Sequence, residues 1–149
     1  MAQKTPEIQV TYVNARYQRL MPFSRKELLN LLTVLSGRLV ELTPDFADKI
    51  ELVLGSDYLL SNLNQDFLNC PGPTNTLAFP ASKHNSRAVL YLSVEAFTRE
   101  CRLYGQNEKD YALHLLAHAA AHLAGYDHGF EMDLLCAELE QKLAQSLIT

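Results

Sequence analysis

The chain has 149 residues, of which 48% are hydrophobic and 20% charged. These proportions suit one globular domain with a sizeable core and exclude a disordered or fibrous chain. Thirteen Lys and Arg against 17 Asp and Glu leave a formal charge of −4, which excludes a strongly basic coat for nucleic acid but not a local basic patch.

Glu7 to Val13 alternates, with Ile8, Val10 and Tyr12 on one side, and predicts a strand. Ser24 with Glu27 three residues on forms a capping box. The helix it opens carries Leu28, Leu29, Leu31, Leu32 and Leu35 and is expected to end near Gly37. Lys49 to Leu54 predicts a second strand ended by Gly55, and Ser56 caps a helix to about Phe67. Asn69 to Pro73 holds two prolines and a glycine and predicts a loop. Thr74 to Phe79 and Ala88 to Leu92 predict two strands joined by a polar turn over 81–87. Ser93 caps a helix to about Tyr104, with Gly105 as its C-cap. Asn107 caps the next helix, which Gly125 ends, and a last helix covers about Glu131 to Leu147. The order β-α-β-α-β-β-α-α-α predicts an α+β domain with a mixed sheet of about four strands and about five helices. The first two strands can pair in parallel through a helical crossover, and the last two can form a hairpin.

Residues 1–49 hold seven basic and five acidic side chains, whereas residues 103–149 hold two basic and seven acidic. A polyanion would meet the N-terminal third first. The three cysteines, at 70, 101 and 136, form no Cys-x-x-Cys, which points to a reducing compartment. MAQKTPEIQV lacks the apolar region of a secretory leader. No apolar run approaches the ~18 residues of a membrane span. A soluble, cytoplasmic protein is expected.

Four of the five histidines fall in HLLAHAAAHLAGYDH, residues 114–128. On a helix His114, His118 and His122 share one face, and His118 and His122 stand one turn apart. Gly125 allows a sharp turn that brings His128 back to the same point. Three neutral imidazoles with an open fourth position are the ligand set of a catalytic zinc site. One zinc per chain is therefore expected, on His118, His122 and His128. His114 stands one turn further off and is expected to line the pocket. Asp127 is expected to orient a ligating imidazole rather than to bind the metal. Zinc there would serve hydrolysis, by polarising a carbonyl or phosphoryl oxygen and lowering the pKa of a water. His118, His122, Gly125 and His128 also fit the metzincin protease spacing. A metzincin needs a glutamate after the first histidine as base, and that position is Ala119.

His118-Ala-Ala-Ala-His122-Leu-Ala-Gly125-Tyr126-Asp127-His128 resembles the signature of the YbeY family, His-Gly-x-Leu-His-Leu-x-Gly-Tyr-Asp-His. Upstream, Pro73-Thr74-Asn75-Thr76-Leu77-Ala78-Phe79-Pro80 resembles that family's Pro-Thr-(Asp/Asn)-Val-Leu-Ser-Phe-Pro, and Leu63-Asn64 stands at the family's distance before it. The resemblance implies a cytoplasmic, metal-dependent endoribonuclease specific for single strands. It also implies maturation of the 3′ end of small-subunit ribosomal RNA, ribosome quality control, and a zinc held by the three signature histidines. The partners implied are single-stranded RNA and ribosomal subunits.

The sequence departs from the family at several points. Leu68 stands where the family carries an arginine regarded as contacting phosphate, Ala119 replaces a glycine, and Ala88-Val89 replaces Gly-Asp. The segment after His128 also looks shorter than usual. Without that arginine, Lys83 and Arg87 in the turn between the last two strands are the candidate cations for the scissile phosphate. Thr74 and Asn75 are candidates for hydrogen bonds to phosphate or ribose. Weakened cleavage, or a zinc-stabilised relative that only binds RNA or ribosomes, are the alternatives that Leu68 raises.

Overall fold

The period-two and period-3.6 patterns resolve into a computed structural model that describes residues 5–68 and 74–148. Its elements are β1 (Glu7–Tyr12), α1 (Tyr17–Leu20), α2 (Arg25–Leu42), β2 (Lys49–Gly55) and α3 (Asp57–Leu68), then β3 (Thr76–Phe79), β4 (Arg87–Ser93), α4 (Val94–Tyr104), α5 (Glu108–Leu123) and α6 (Phe130–Ile148). The sheet order is β1-β2-β4-β3. β1 runs parallel to β2 and β3 antiparallel to β4, as the connections predict. β2 also runs parallel to β4, with Leu52 beside Leu90 and Leu54 beside Leu92. This makes a mixed sheet in an α+β fold. β2 and β4 are almost continuously buried, as central strands covered on both sides are.

One face of the sheet carries Val10, Ile50, Leu52, Leu54, Ala88, Leu90 and Leu92, all of them in the main core. α2 packs on β1, α5 packs on β3 and β4, and α6 lies against α2 and α5. The other face holds a polar cluster. There the buried Glu51 accepts from Thr11 Oγ1 at 2.5 Å and from Gln9 Nε2 at 3.1 Å, and pairs with Arg87 at 3.0 Å. A buried carboxylate must be paired, and these three partners achieve that.

The helix ends follow their caps. Ser24 and Glu27 form the capping box, Ser93 accepts from Ala96 N, Asn107 accepts from Asp110 N, and Gly105 adopts φ +63° as a left-handed C-cap. Ser56 Oγ accepts from Leu59 N at 3.1 Å.

Gly37 does not end its helix. α2 continues to Leu42 because Leu39 and Val40 extend the buried stripe of Leu28, Leu31, Leu32 and Leu35. Their burial outweighs the ~1 kcal/mol that an interior glycine costs. Arg38 in the extra turn also pairs with Glu138 of α6 at 2.6 Å. The short α1 has no counterpart among the predicted elements; it buries Tyr17. The Asn69–Pro73 loop, Cys70 and the side chain of Leu68 lie outside the described residues. Among the described residues Cys101 and Cys136 are free thiols, and burial pushes both pKa values up. No described helix is long and apolar enough to cross a membrane.

Candidate metal centre

α5 buries Leu113, Leu116, Ala117 and Ala120, which sets the histidine face away from the core. His118 and His122 are half-buried and His128 is exposed. The helix stops at Ala124, and Gly125 takes φ +91°. That conformation turns the chain back, as the glycine predicts, and delivers His128 to the other two. One ligand atom from each of His118, His122 and His128 lies within 4.8 Å of the others. The Nε2 atoms of His118 and His122 are 3.3 Å apart. Two imidazoles on a tetrahedral zinc, at Zn–N of about 2.0–2.1 Å, have nitrogens about 3.3–3.4 Å apart. The donor set and this edge fit a zinc ion.

The surroundings suit neutral, ligating imidazoles. The Nδ1–H of His122 donates to the Tyr126 carbonyl at 3.1 Å, which leaves Nε2 with its lone pair. Burial is the main cause that lowers the pKa of His118, followed by repulsion from His122 and His128 if they are charged. Asp127 acts on the main chain beside the third ligand. Its Oδ1 accepts from the His128 backbone N–H at 2.8 Å, so it holds the ligand loop rather than an imidazole nitrogen. A cleft of about 660 Å³ opens along residues 124–131 of that loop.

His114 lies outside the cluster, as its spacing predicts. Its Nδ1 meets Glu140 Oε1 of α6 at 2.5 Å. Its ring stacks on Tyr111 at 6.1 Å and approaches His118 at 6.5 Å, so a file of rings leads up α5 to the metal site. Tyr111 Oη donates to Glu100 Oε1 at 2.6 Å, and the same oxygen accepts from Asn75 Nδ2 at 3.0 Å. Asn75 is therefore tied through Glu100 and Tyr111 to the histidine file. Sequence reasoning missed Glu100, Tyr111 and Glu140. Tyr111 alone left a signal, since it stands three residues before His114 on the same helical face.

Thr74 and Arg87 are otherwise engaged. Thr74 Oγ1 donates to the Thr76 carbonyl at 3.2 Å and supports the start of β3. Arg87 is held by Glu51 across the sheet. Lys83 is exposed and borders a separate cavity of about 480 Å³ that also holds Asp45 and Asp48. In the basic N-terminal third, Arg25 donates to the Val10 carbonyl at 2.6 Å and Arg38 is paired with Glu138. Ala119 is buried, so no carboxylate stands where a metzincin base would be.

Two outcomes follow from this geometry. Gly125→Ala forces a Cβ into a left-handed conformation at about 1–2 kcal/mol. Nothing crowds that position, so the loss comes from backbone strain, and the loop relieves it by moving His128. Lower thermal stability with weaker zinc binding is expected by calorimetry and metal titration. The second concerns pH. The folded pKa of His118 lies below its ordinary 6.5. Below about pH 6.5 the unfolded chain therefore binds a proton that the folded chain resists. The metal-free protein should lose stability as pH falls from 7.5 to 5.5, and His118→Gln should flatten that slope in denaturant titrations.

The sequence model of the family described as Endoribonuclease YbeY matches residues 4–147. The chain is 40% identical over 121 residues to the Endoribonuclease YbeY of Lawsonia intracellularis, covering 80% of this chain and 85% of that one. It is 29% identical over 141 residues to that of Wolbachia pipientis subsp. Culex pipiens, covering 91% of both. The solution structure of TM1509 from Thermotoga maritima superposes with a TM-score of 0.61 at 22% identity, over 94% of this chain and 91% of that one, and so shares the fold. A match across nearly all of the sequence, with a relative this similar over most of its length, goes beyond a shared motif: the chain belongs to the Endoribonuclease YbeY family.

Proposed function

We propose that this protein is a zinc-dependent endoribonuclease of the cytoplasm that cleaves single-stranded RNA. Its substrate in this reading is ribosomal RNA at the 3′ end of the small subunit, with a part in ribosome quality control. The observation that carries the reading is the gathering of three imidazole ligand atoms within 4.8 Å in a chain of this family. Bound zinc supplies a Lewis acid for a phosphoryl oxygen and lowers the pKa of a water. One domain carries the whole site.

The side chains divide the remaining work. His118, His122 and His128 hold the ion. Tyr126 keeps the Nδ1 proton on His122, and Asp127 fixes the backbone of His128. Asn75, clamped by Glu100, offers an amide to a ribose or phosphate, with Thr74 beside it. His114, held by Glu140, lines the approach. Lys83 is the exposed cation that a phosphate could recruit, and Arg87 could do so only by sharing its guanidinium with Glu51. Leu68 in place of the arginine expected from the resemblance favours a second reading, a zinc-stabilised relative that binds RNA or ribosomes and cleaves weakly.

The test offers a single-stranded RNA oligonucleotide and its duplex form to the purified protein. Internal cuts in the single strand alone support the proposal. RNA binding without cutting supports the second reading. Cleavage of a peptide substrate instead would overturn both.

A further inference from the structure

Glu100, in the second half of α4, is shared by two donors. Its Oε1 accepts from Tyr111 Oη at 2.6 Å and from Asn75 Nδ2 at 3.0 Å. Burial and Glu100 push the pKa of the Tyr111 phenol up, and a hydrogen bond from Asn75 opposes them. The amide nitrogen of Asn75 is thus turned inward, towards the carboxylate and the phenol. An ionised carboxylate accepts and never donates. A flipped amide would set its oxygen against that carboxylate with no proton between them, so Glu100 fixes which end of the amide points inward. The main chain is held as well, since the Asn75 carbonyl accepts from Ser93 N at 2.9 Å.

This clamp decides what Asn75 presents to a ligand. The residue is half-buried, and its Oδ1 has no partner among the described residues yet is not sealed from solvent. Thr74 beside it gives its hydroxyl proton to the Thr76 carbonyl, which leaves that oxygen with lone pairs only. Two acceptors stand side by side at the start of β3. A phosphate oxygen is itself an acceptor and offers them nothing. A ribose 2′-hydroxyl can donate, and DNA has no hydroxyl at that carbon.

We infer that Asn75 Oδ1 reads the 2′-hydroxyl of a single-stranded RNA, with Glu100 as its positioning residue. The inference rests on the RNA reading above and narrows the ligand of Asn75 to ribose. Tyr111, at the clamp, is joined to His118 by the ring file through His114. His118 lies seven residues further along α5, about 10 Å of helix. The ribose that Asn75 reads therefore belongs to a nucleotide beside the one whose phosphate meets the metal site, and its hydroxyl takes no part in cleavage.

The test measures the affinity of the full chain, stripped of metal so that nothing is cut, for a short oligouridine and for its 2′-deoxy counterpart. The bases are the same, so the ratio of the two affinities reports the hydroxyl alone. The parent should bind the ribo form about 3–10-fold more tightly, the worth of one net hydrogen bond. Asn75→Ala should bring the two affinities together, with the loss on the ribo side. Glu100→Leu should do the same, because it frees the amide to flip. Tyr111→Phe removes the other bond to Glu100 and leaves the clamp on Asn75, so it should keep the ratio. Circular dichroism checks each fold, and Asn75→Ala carries the test alone if Glu100→Leu does not fold. Equal affinities in the parent overturn the inference and would give the oxygen to a base edge. So does an Asn75→Ala or a folded Glu100→Leu variant that keeps the full ratio, or a Tyr111→Phe variant that loses it as fully as Glu100→Leu. Binding of neither oligonucleotide would instead fall on the proposed function, and the inference would fall with it.

Discussion

Replacing His122 with alanine is expected to strip the metal from the protein and to abolish RNA cleavage. His122 Nε2 stands 3.3 Å from His118 Nε2, and its Nδ1 is pinned to Tyr126. Its removal leaves two imidazoles, one of them on an exposed loop, and two ligands hold zinc poorly. A lost Lewis acid is worth several kcal/mol of transition-state stabilisation, or ~10³-fold or more in rate. The fold should survive, because the core side of α5 is built from Leu113, Leu116, Ala117 and Ala120. Metal analysis beside a circular dichroism spectrum checks both halves. Full zinc occupancy in the folded variant would refute the three-histidine site.

The second large effect is expected at Leu68, the last residue of α3. Cleavage of a phosphodiester develops charge on the non-bridging oxygens, and one preorganised cation typically contributes ~10²–10³ in rate. Arg87 is paired with Glu51, and Lys83 lines a cavity shared with Asp45 and Asp48. Leu68→Arg should therefore raise single-strand cleavage by up to ~10²–10³-fold with zinc content unchanged. Should the arginine variant bind zinc and cleave no faster, another cation already fills the role, and Lys83→Ala would be the variant to measure next.

The gathering of His118, His122 and His128 was legible because its signal is local. Three histidines at helical and turn spacing, with a glycine at the bend, define a point in space almost without tertiary information. The caps of α2, α4 and α5 were legible for the same reason, since Ser24, Ser93 and Asn107 bond atoms only three residues away. What the sequence hid was settled by distant partners. The extension of α2 past Gly37 depends on core burial and on Glu138, 100 residues from Arg38. The parallel pairing of β2 with β4 skips a strand, and local pattern does not encode it. Arg87 looked like a free turn cation because Glu51 lies 36 positions away in the sequence. Glu100 gives no sequence sign that it joins Asn75 to Tyr111, because Asn75, just before β3, reaches α4 only in the folded chain.

In the proposed function one zinc on His118, His122 and His128 drives RNA cleavage. Its most direct test is to remove metal from the protein with a chelator, dialyse the chelator away, and add zinc back stepwise while following cleavage of a single-stranded RNA. Activity should vanish with the metal, return with added zinc and saturate at one equivalent per chain, while the chelated H122A variant stays inactive at every step. Cleavage that persists in the metal-free protein, or that returns equally in H122A, would contradict the account.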